Sequence, residues 1–233
     1  MIRRWIAHWK CRRQQLPPEV CRYLERMAER NQHHLPLDQV RFVVLDTETT
    51  GLNPRKDLLL SIGAVAIRRL EIVIKDSFEA IIAHKQQLLP QESISIHGLR
   101  PRDIEEGEAL ETVLRRWLQY VDNSVLVGQH IAFDRSIISA SLRRLWGIRL
   151  YNPAIDTAHL AMRIEHPNRS MEEISSSDYS LDKLAKRYHL RPEERHTAIG
   201  DAFLTAQLFL IFVHKLQRSG AQTLQDLLRW KRL

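Results

Sequence analysis

Short, unbroken apolar runs that stop at charged residues mark the strands of this chain. Phe42, Val43, Val44 and Leu45 form one, uninterrupted and rich in branched residues, as a strand covered on both faces requires. Val125-Leu-Val-Gly128 is a second of the same kind. Between them, Leu58 to Ile67 and Ile72 to Ala83 read as two strands bracketing a charged turn. With the Phe42 strand they predict an antiparallel side to the sheet. Ala109 to Val121 then reads as a helix, which lets the Val125 strand return parallel to the first by a helical crossover. Beyond it, Ile137, Ile138, Leu142 and Leu145 recur on one helical face. A longer helix is expected where Ala198, Ala202, Leu204, Ala206, Leu208 and Leu210 run together with Phe203, Phe209 and Phe212. Residues 165–180 are polar and Ser-rich, a loop. At the start, Ile2, Trp5, Ile6 and Trp9 stand at helical spacing among arginines, and Pro17-Pro18 separates that arm from a second helix, about Glu19 to Arg30.

With 233 residues, 44% of them apolar, the chain can build one globular domain with appendages. The expected division is a basic helical extension over 1–40, a catalytic domain over 41–217 and a basic C-terminal helix over 218–233. The longest stretch without charge, near Ala202 to His214, is too short to cross a bilayer, so no stable membrane insertion is expected. The amphipathic arm suits a membrane surface or a partner protein, and more often such a stripe packs back on its own domain. It lacks the Ser-rich character of a transit peptide, and no secretory signal is evident. Cys11 and Cys21 show no metal or redox spacing and read as reduced thiols of a cytoplasmic protein.

Charge sharpens this division. The total is +7, but residues 1–30 carry +5 and residues 215–233 carry +4, which leaves the middle at −2. Basic ends on a mildly acidic domain suit contact with phosphate backbones, although a solvated charged surface explains them equally well.

The acids of the middle carry the chemistry. Asp46 and Glu48 end the first apolar run at i, i+2, so they project from one strand face while Thr47 points away. Thr49, Thr50, Gly51, Leu52, Asn53 and Pro54 follow as turn formers, a loop opening over the acids, with Gly51 free to take positive φ. Asp134 opens a helical pattern, where capping is its plainest role. Asp201 intrudes on the apolar helix and needs a partner if buried. His196 converges with Asp201 only if it precedes that helix, which Pro192 to Arg195 as a loop and Thr197 as N-cap would allow. Carboxylates brought together need a cation, and all-oxygen ligands favour Mg²⁺ or Mn²⁺. Two such ions can activate water and stabilise the leaving oxygen of a phosphodiester, with His196 as general base.

Asp-Thr-Glu-Thr-Thr-Gly-Leu at 46–52, Gly-Gln-His-Ile-Ala-Phe-Asp at 128–134 and His-Thr-Ala-Ile-Gly-Asp at 196–201 resemble the three motifs of the DEDD superfamily of 3′–5′ exonucleases, in its histidine-bearing branch. The chain is similar there to the proofreading epsilon subunit of bacterial replicative DNA polymerase and to ribonuclease T, over about residues 41–213. The resemblance implies an α/β, RNase-H-like exonuclease fold, a mixed five-stranded sheet flanked by helices. It implies that Asp46, Glu48, Asp134 and Asp201 hold two divalent cations, that His196 is the base, and that 5′-monophosphates leave the 3′ end. Ile96-His97-Gly98-Leu99, with Glu92 upstream, is similar to a further family segment in which Glu92 and His97 would touch the terminal nucleotide. Thr47, Thr49, Thr50, Gly51, Leu52, His130 and Phe133 complete the substrate contacts expected.

His130 departs from the family pattern, which usually has Asn there, and this bears on how the penultimate nucleotide or the local backbone is held. Asp156-Thr157 resembles a recurring acid-Thr pair, and its plain reading is a strand end capping the next helix. The motifs do not separate DNA from RNA, since that depends on how the 2′-hydroxyl is met. Single-stranded DNA is expected, in proofreading or repair, because Thr49-Thr50-Gly51 looks most like the proofreading subunits. The alternatives are an RNA 3′-end-trimming enzyme, an inert nucleic-acid binder, and a subunit that docks to a DNA polymerase or another replication factor.

Overall fold

A computed structural model describes residues 4–84, 99–192 and 195–228. Its centre is a five-stranded sheet in the order β3-β2-β1-β4-β5. The strands are β1 (Phe42–Thr49), β2 (Leu59–Arg68), β3 (Glu71–Ile81), β4 (Val125–Gly128) and β5 (Ala154–Asp156). β1, β2 and β3 pair antiparallel, while β4 and β5 extend the sheet in parallel from β1. This is the mixed sheet expected from the apolar runs.

The helices are α1 (Arg4–Gln14), α2 (Pro18–Ala28), α3 (Pro101–Glu105), α4 (Leu110–Val121), α5 (Ala132–Trp146), α6 (Thr157–Glu165), α7 (Leu181–Arg187), α8 (Ala198–Arg218) and α9 (Leu224–Leu228). They cover both faces of the sheet, and the alternation of β1 divides the core in two. Val43 and Leu45 pack with Val113, Leu114 and Trp117 of α4 and Ile137, Ile138 and Leu142 of α5. Phe42 and Val44 face the opposite way, toward Leu204, Phe209 and Phe212 of α8. Phe42 and Phe209 stack with ring centroids 5.0 Å apart.

At 21 residues, α8 extends past the uncharged stretch at both ends, and with a mean hydropathy of 1.4 over its most apolar 18 residues it is long and apolar enough to cross a membrane. It is instead the core helix, lying on β1 and β2 with Ala202, Leu204, Leu208, Phe209 and Phe212 buried. Gly63 of β2 makes that approach close, because a Cβ there would stand 2.2 Å from the backbone of Ala198 and Ile199. The start of α8 therefore lies directly on β2, beside Asp46, whose register partner is Gly63.

The N-terminal hairpin joins the α4–α5 side. Val20, Tyr23, Leu24 and Met27 of α2 enter the same core cluster as α4, and so does Ala7 of α1. The Tyr23 hydroxyl donates to Asn152 Oδ1 at 2.7 Å and accepts from the Tyr151 amide. Cys11 and Cys21 are joined by a disulfide, which corrects the expectation of two reduced thiols. The physical reason is tertiary: folding α1 back across the Pro17-Pro18 turn brings their Cα atoms to 5.6 Å, within bonding range, and no motif in the chain announces it.

Candidate active site

The acids of the three motifs meet at one end of the sheet and reach it from both faces. Asp46 and Glu48 continue the Phe42–Val44 face of β1, the side on which α8 lies. Asp201 comes from the first turn of α8 and is buried. Asp134 comes from the first turn of α5, on the other side of the sheet, and is also buried.

Thr47 ties those sides together. It points away from Asp46 and Glu48, as strand alternation predicts, and so faces α5, where its Oγ1 donates to Asp134 Oδ1 at 2.7 Å. Thr47 is itself buried, so its hydroxyl is committed to an acid rather than offered to a ligand. Asp134 does not cap α5, because the N-cap position is Ile131.

Crowding raises the affinity of these carboxyls for protons. Asp46 is pushed well above the ordinary carboxylate range, first by burial and then by the charges of Asp134, Glu48 and Asp201. Glu48 rises to about 8 by burial, with Asp201 and Asp134 adding to it. Asp134 rises to about 7, again by burial, against the opposing hydrogen bond from Thr47. A cluster of this kind is stabilised by positive charge.

That charge comes here from Arg195, which was not anticipated. Its guanidinium pairs with Asp201 through Nη1 and with Asp182 through Nε at 2.9 Å and Nη2 at 2.7 Å. It also offsets the repulsion felt by Asp46 and Glu48. Among the described residues no three acids or histidines stand at ligand spacing. The donor set still suits a hard divalent cation, since it offers buried carboxylate oxygens from three elements and no sulfur.

His196 precedes α8, as convergence with Asp201 demands. It is exposed, with φ 64°, and Thr197 caps the helix by accepting from the Gly200 amide at 3.1 Å. The left-handed backbone turns His196 out of the helical path to an exposed position just before the helix that carries Asp201.

The loop after β1 is closed by its own bonds. Thr49 Oγ1 donates to the Gly51 carbonyl, and Thr50 Oγ1 accepts from the Leu58 amide and donates to Asp57. Gly51 does not take positive φ; a Cβ there would stand 2.8 Å from the Asp57 carboxylate, which would have to shift. Leu52 is left 87% exposed at the tip, an apolar side chain offered to whatever lies over the acids. Phe133 is half-buried beside Asp134. His130 has φ 53° and its amide donates to Asp156 Oδ1, so the position asks for a residue that tolerates left-handed backbone, which Asn does readily and His also does. Asp156 caps α6 by accepting from the Ala158 amide, as its plain reading had it. Glu92 and His97 lie outside the described residues.

Comparison with known proteins shows which family carries this arrangement. The chain belongs to the exonuclease family, whose model matches residues 43–209. It is 33% identical over 190 residues to the PolC-type DNA polymerase III of Thermotoga maritima, covering 82% of this chain and 13% of that one. It is 32% identical over 191 residues to a DNA polymerase III subunit epsilon-like protein of Rhodobacter capsulatus, covering 81% and 26%. The chain thus spans between an eighth and about a quarter of the length of these relatives. The fold is that of exonuclease I of E. coli in complex with a dT13 oligonucleotide, with TM-score 0.63, 18% identity, and 78% of this chain covering 42% of that one. It is likewise that of cell-death related nuclease 4, with TM-score 0.61, 16% identity, and 77% covering 64%.

Proposed function

We propose that the protein is a metal-dependent 3′–5′ exonuclease that removes nucleoside 5′-monophosphates from single-stranded DNA. The observation that carries this reading is the meeting of Asp46, Glu48, Asp134 and Asp201 from both faces of the sheet, with His196 exposed just before the helix of Asp201. The four carboxylates would hold two divalent cations, Mg²⁺ or Mn²⁺. When bound, these supply positive charge to a phosphodiester and its attacking water. His196, exposed just before α8, would take the proton of that water as general base. Thr47 holds Asp134 in place. Leu52 and Phe133 offer apolar surface to the terminal bases, and Glu92 and His97 would add contacts to the last nucleotide. Relatives named as DNA polymerase III support DNA as the substrate and a polymerase as a partner.

The test is digestion of matched 5′-labelled single-stranded DNA and RNA with Mg²⁺ or Mn²⁺ and with a chelator. A metal-dependent ladder shortening from the 3′ end, faster on DNA, is expected. Asp201→Ala removes it, and His196→Ala lowers the rate by about 10²–10⁴ while leaving binding nearly intact. Wild-type turnover in Asp201→Ala overturns the reading, and equal rates on RNA overturn the choice of DNA.

A further inference from the structure

Two acid-free stretches of the chain meet on one surface. Residues 1–18 contain no Asp or Glu, and neither do residues 135–150. One bond joins α1 to the end of α5, Lys10 Nζ donating to the Gly147 carbonyl at 3.0 Å. Lys10, Arg12 and Arg13 of α1 thereby join Arg143 and Arg144 of α5 and Arg149 just beyond it. Among the described residues none of these six has a carboxylate partner. Arg12, Arg13, Arg143, Arg144 and Arg149 are exposed.

We propose that this surface binds the phosphate backbone of single-stranded nucleic acid upstream of the 3′ end held at the carboxylates. The proposal rests on the exonuclease reading and extends it, because α5 connects the two places. Asp134 stands in its first turn and Arg143 and Arg144 in its last, about 14 Å along the axis at ~1.5 Å per residue. A strand engaged at the acids and running along α5 reaches the cations within a few nucleotides.

Two details favour a nucleic acid over other anionic partners. Cations here are interleaved with aromatic rings: Arg13 lies over Trp9 at 5.6 Å and Arg149 over Tyr151 at 5.4 Å. Trp9 is 49% exposed, a face on which a base can stack.

The test uses the full chain and the variant Arg143→Ala/Arg144→Ala, which removes two exposed side chains that have no carboxylate partner among the described residues. Binding of a labelled single-stranded DNA long enough to span α5 is measured in chelator across a salt series, and turnover of a trinucleotide is measured with Mn²⁺. The variant is expected to bind the long strand about tenfold more weakly, with its salt slope reduced by about 1.4, roughly 0.7 for each lost phosphate contact. Its turnover of the trinucleotide is expected to equal that of wild type. Unchanged long-strand affinity and slope, or an equal loss on the trinucleotide, overturns the proposal while leaving the exonuclease reading intact. A wild type that cleaves nothing, yet binds the long strand through Arg143 and Arg144, overturns the exonuclease reading and keeps the surface. Binding through these residues to phosphatidylserine vesicles but not to the oligonucleotide overturns the proposal.

Discussion

Thr47 shows how one hydroxyl can hold a site that spans a sheet. Asp134 is buried and accepts from Thr47 Oγ1 at 2.7 Å, a hydrogen bond to an ionisable acceptor of the stronger kind. Thr47→Val keeps the shape of the side chain and removes the donor. It is expected to weaken Mn²⁺ binding by roughly 10–100-fold, as loss of a supporting hydrogen bond does at metal sites, with turnover falling alongside. Thr47→Ser should retain most of both. Metal titration of the two variants checks this, and equal affinity in Thr47→Val and wild type contradicts it. Asp46 and Glu48 were legible from the chain because alternation along a strand is a local rule. Arg195 was not, since nothing local says that a loop arginine beside His196 will turn inward to Asp201 and Asp182. Thr47 was read correctly as pointing away, yet its partner lies 87 residues on and appears only through packing.

Among the elements, α8 depends on an absence. Gly63 has no side chain where a Cβ would lie 2.2 Å from Ala198 and Ile199, so Gly63→Ala must lift the start of α8 off β2. Overpacking of this kind costs about 1–3 kcal/mol or more, which a lowered urea midpoint will report. Turnover should fall much further than stability, because the displaced turn carries Asp201 and the cap beside His196. An unchanged rate would mean that the turn re-seats. The strands, the crossover and the start of α8 at Thr197 were all readable, as apolar runs and a capping residue are short-range signals. Nothing local marks Gly63 as the seat of α8, and the pairing of Cys11 with Cys21 follows only from the hairpin of α1 and α2. Both belong to contacts between elements, which no window of sequence contains.

For the molecule as a whole, the crowded acids make stability depend on pH and on metal. Glu48 moves from 4.5, its value in an open chain, to about 8 in the fold, and Asp134 from 3.8 to about 7. Between those limits the folded protein holds protons that the unfolded chain releases, so stability falls as pH rises. In chelator the melting temperature should therefore drop between pH 5 and pH 8, a window set by these shifts. Glu48→Gln should flatten part of the drop. Added Mn²⁺ should restore more at pH 8 than at pH 6, since cations replace the displaced protons. A chelated protein that grows steadily more stable up to pH 8 would contradict the crowding. The arrangement of acids on both faces of the sheet has one more consequence, in the order of synthesis. Asp46 leaves the ribosome early and Asp201 near the end of the domain, so a nascent chain that has folded its first strands holds only part of the set. The full set of acids is thus assembled only when α8 closes over the sheet, so the site and the folded domain appear together.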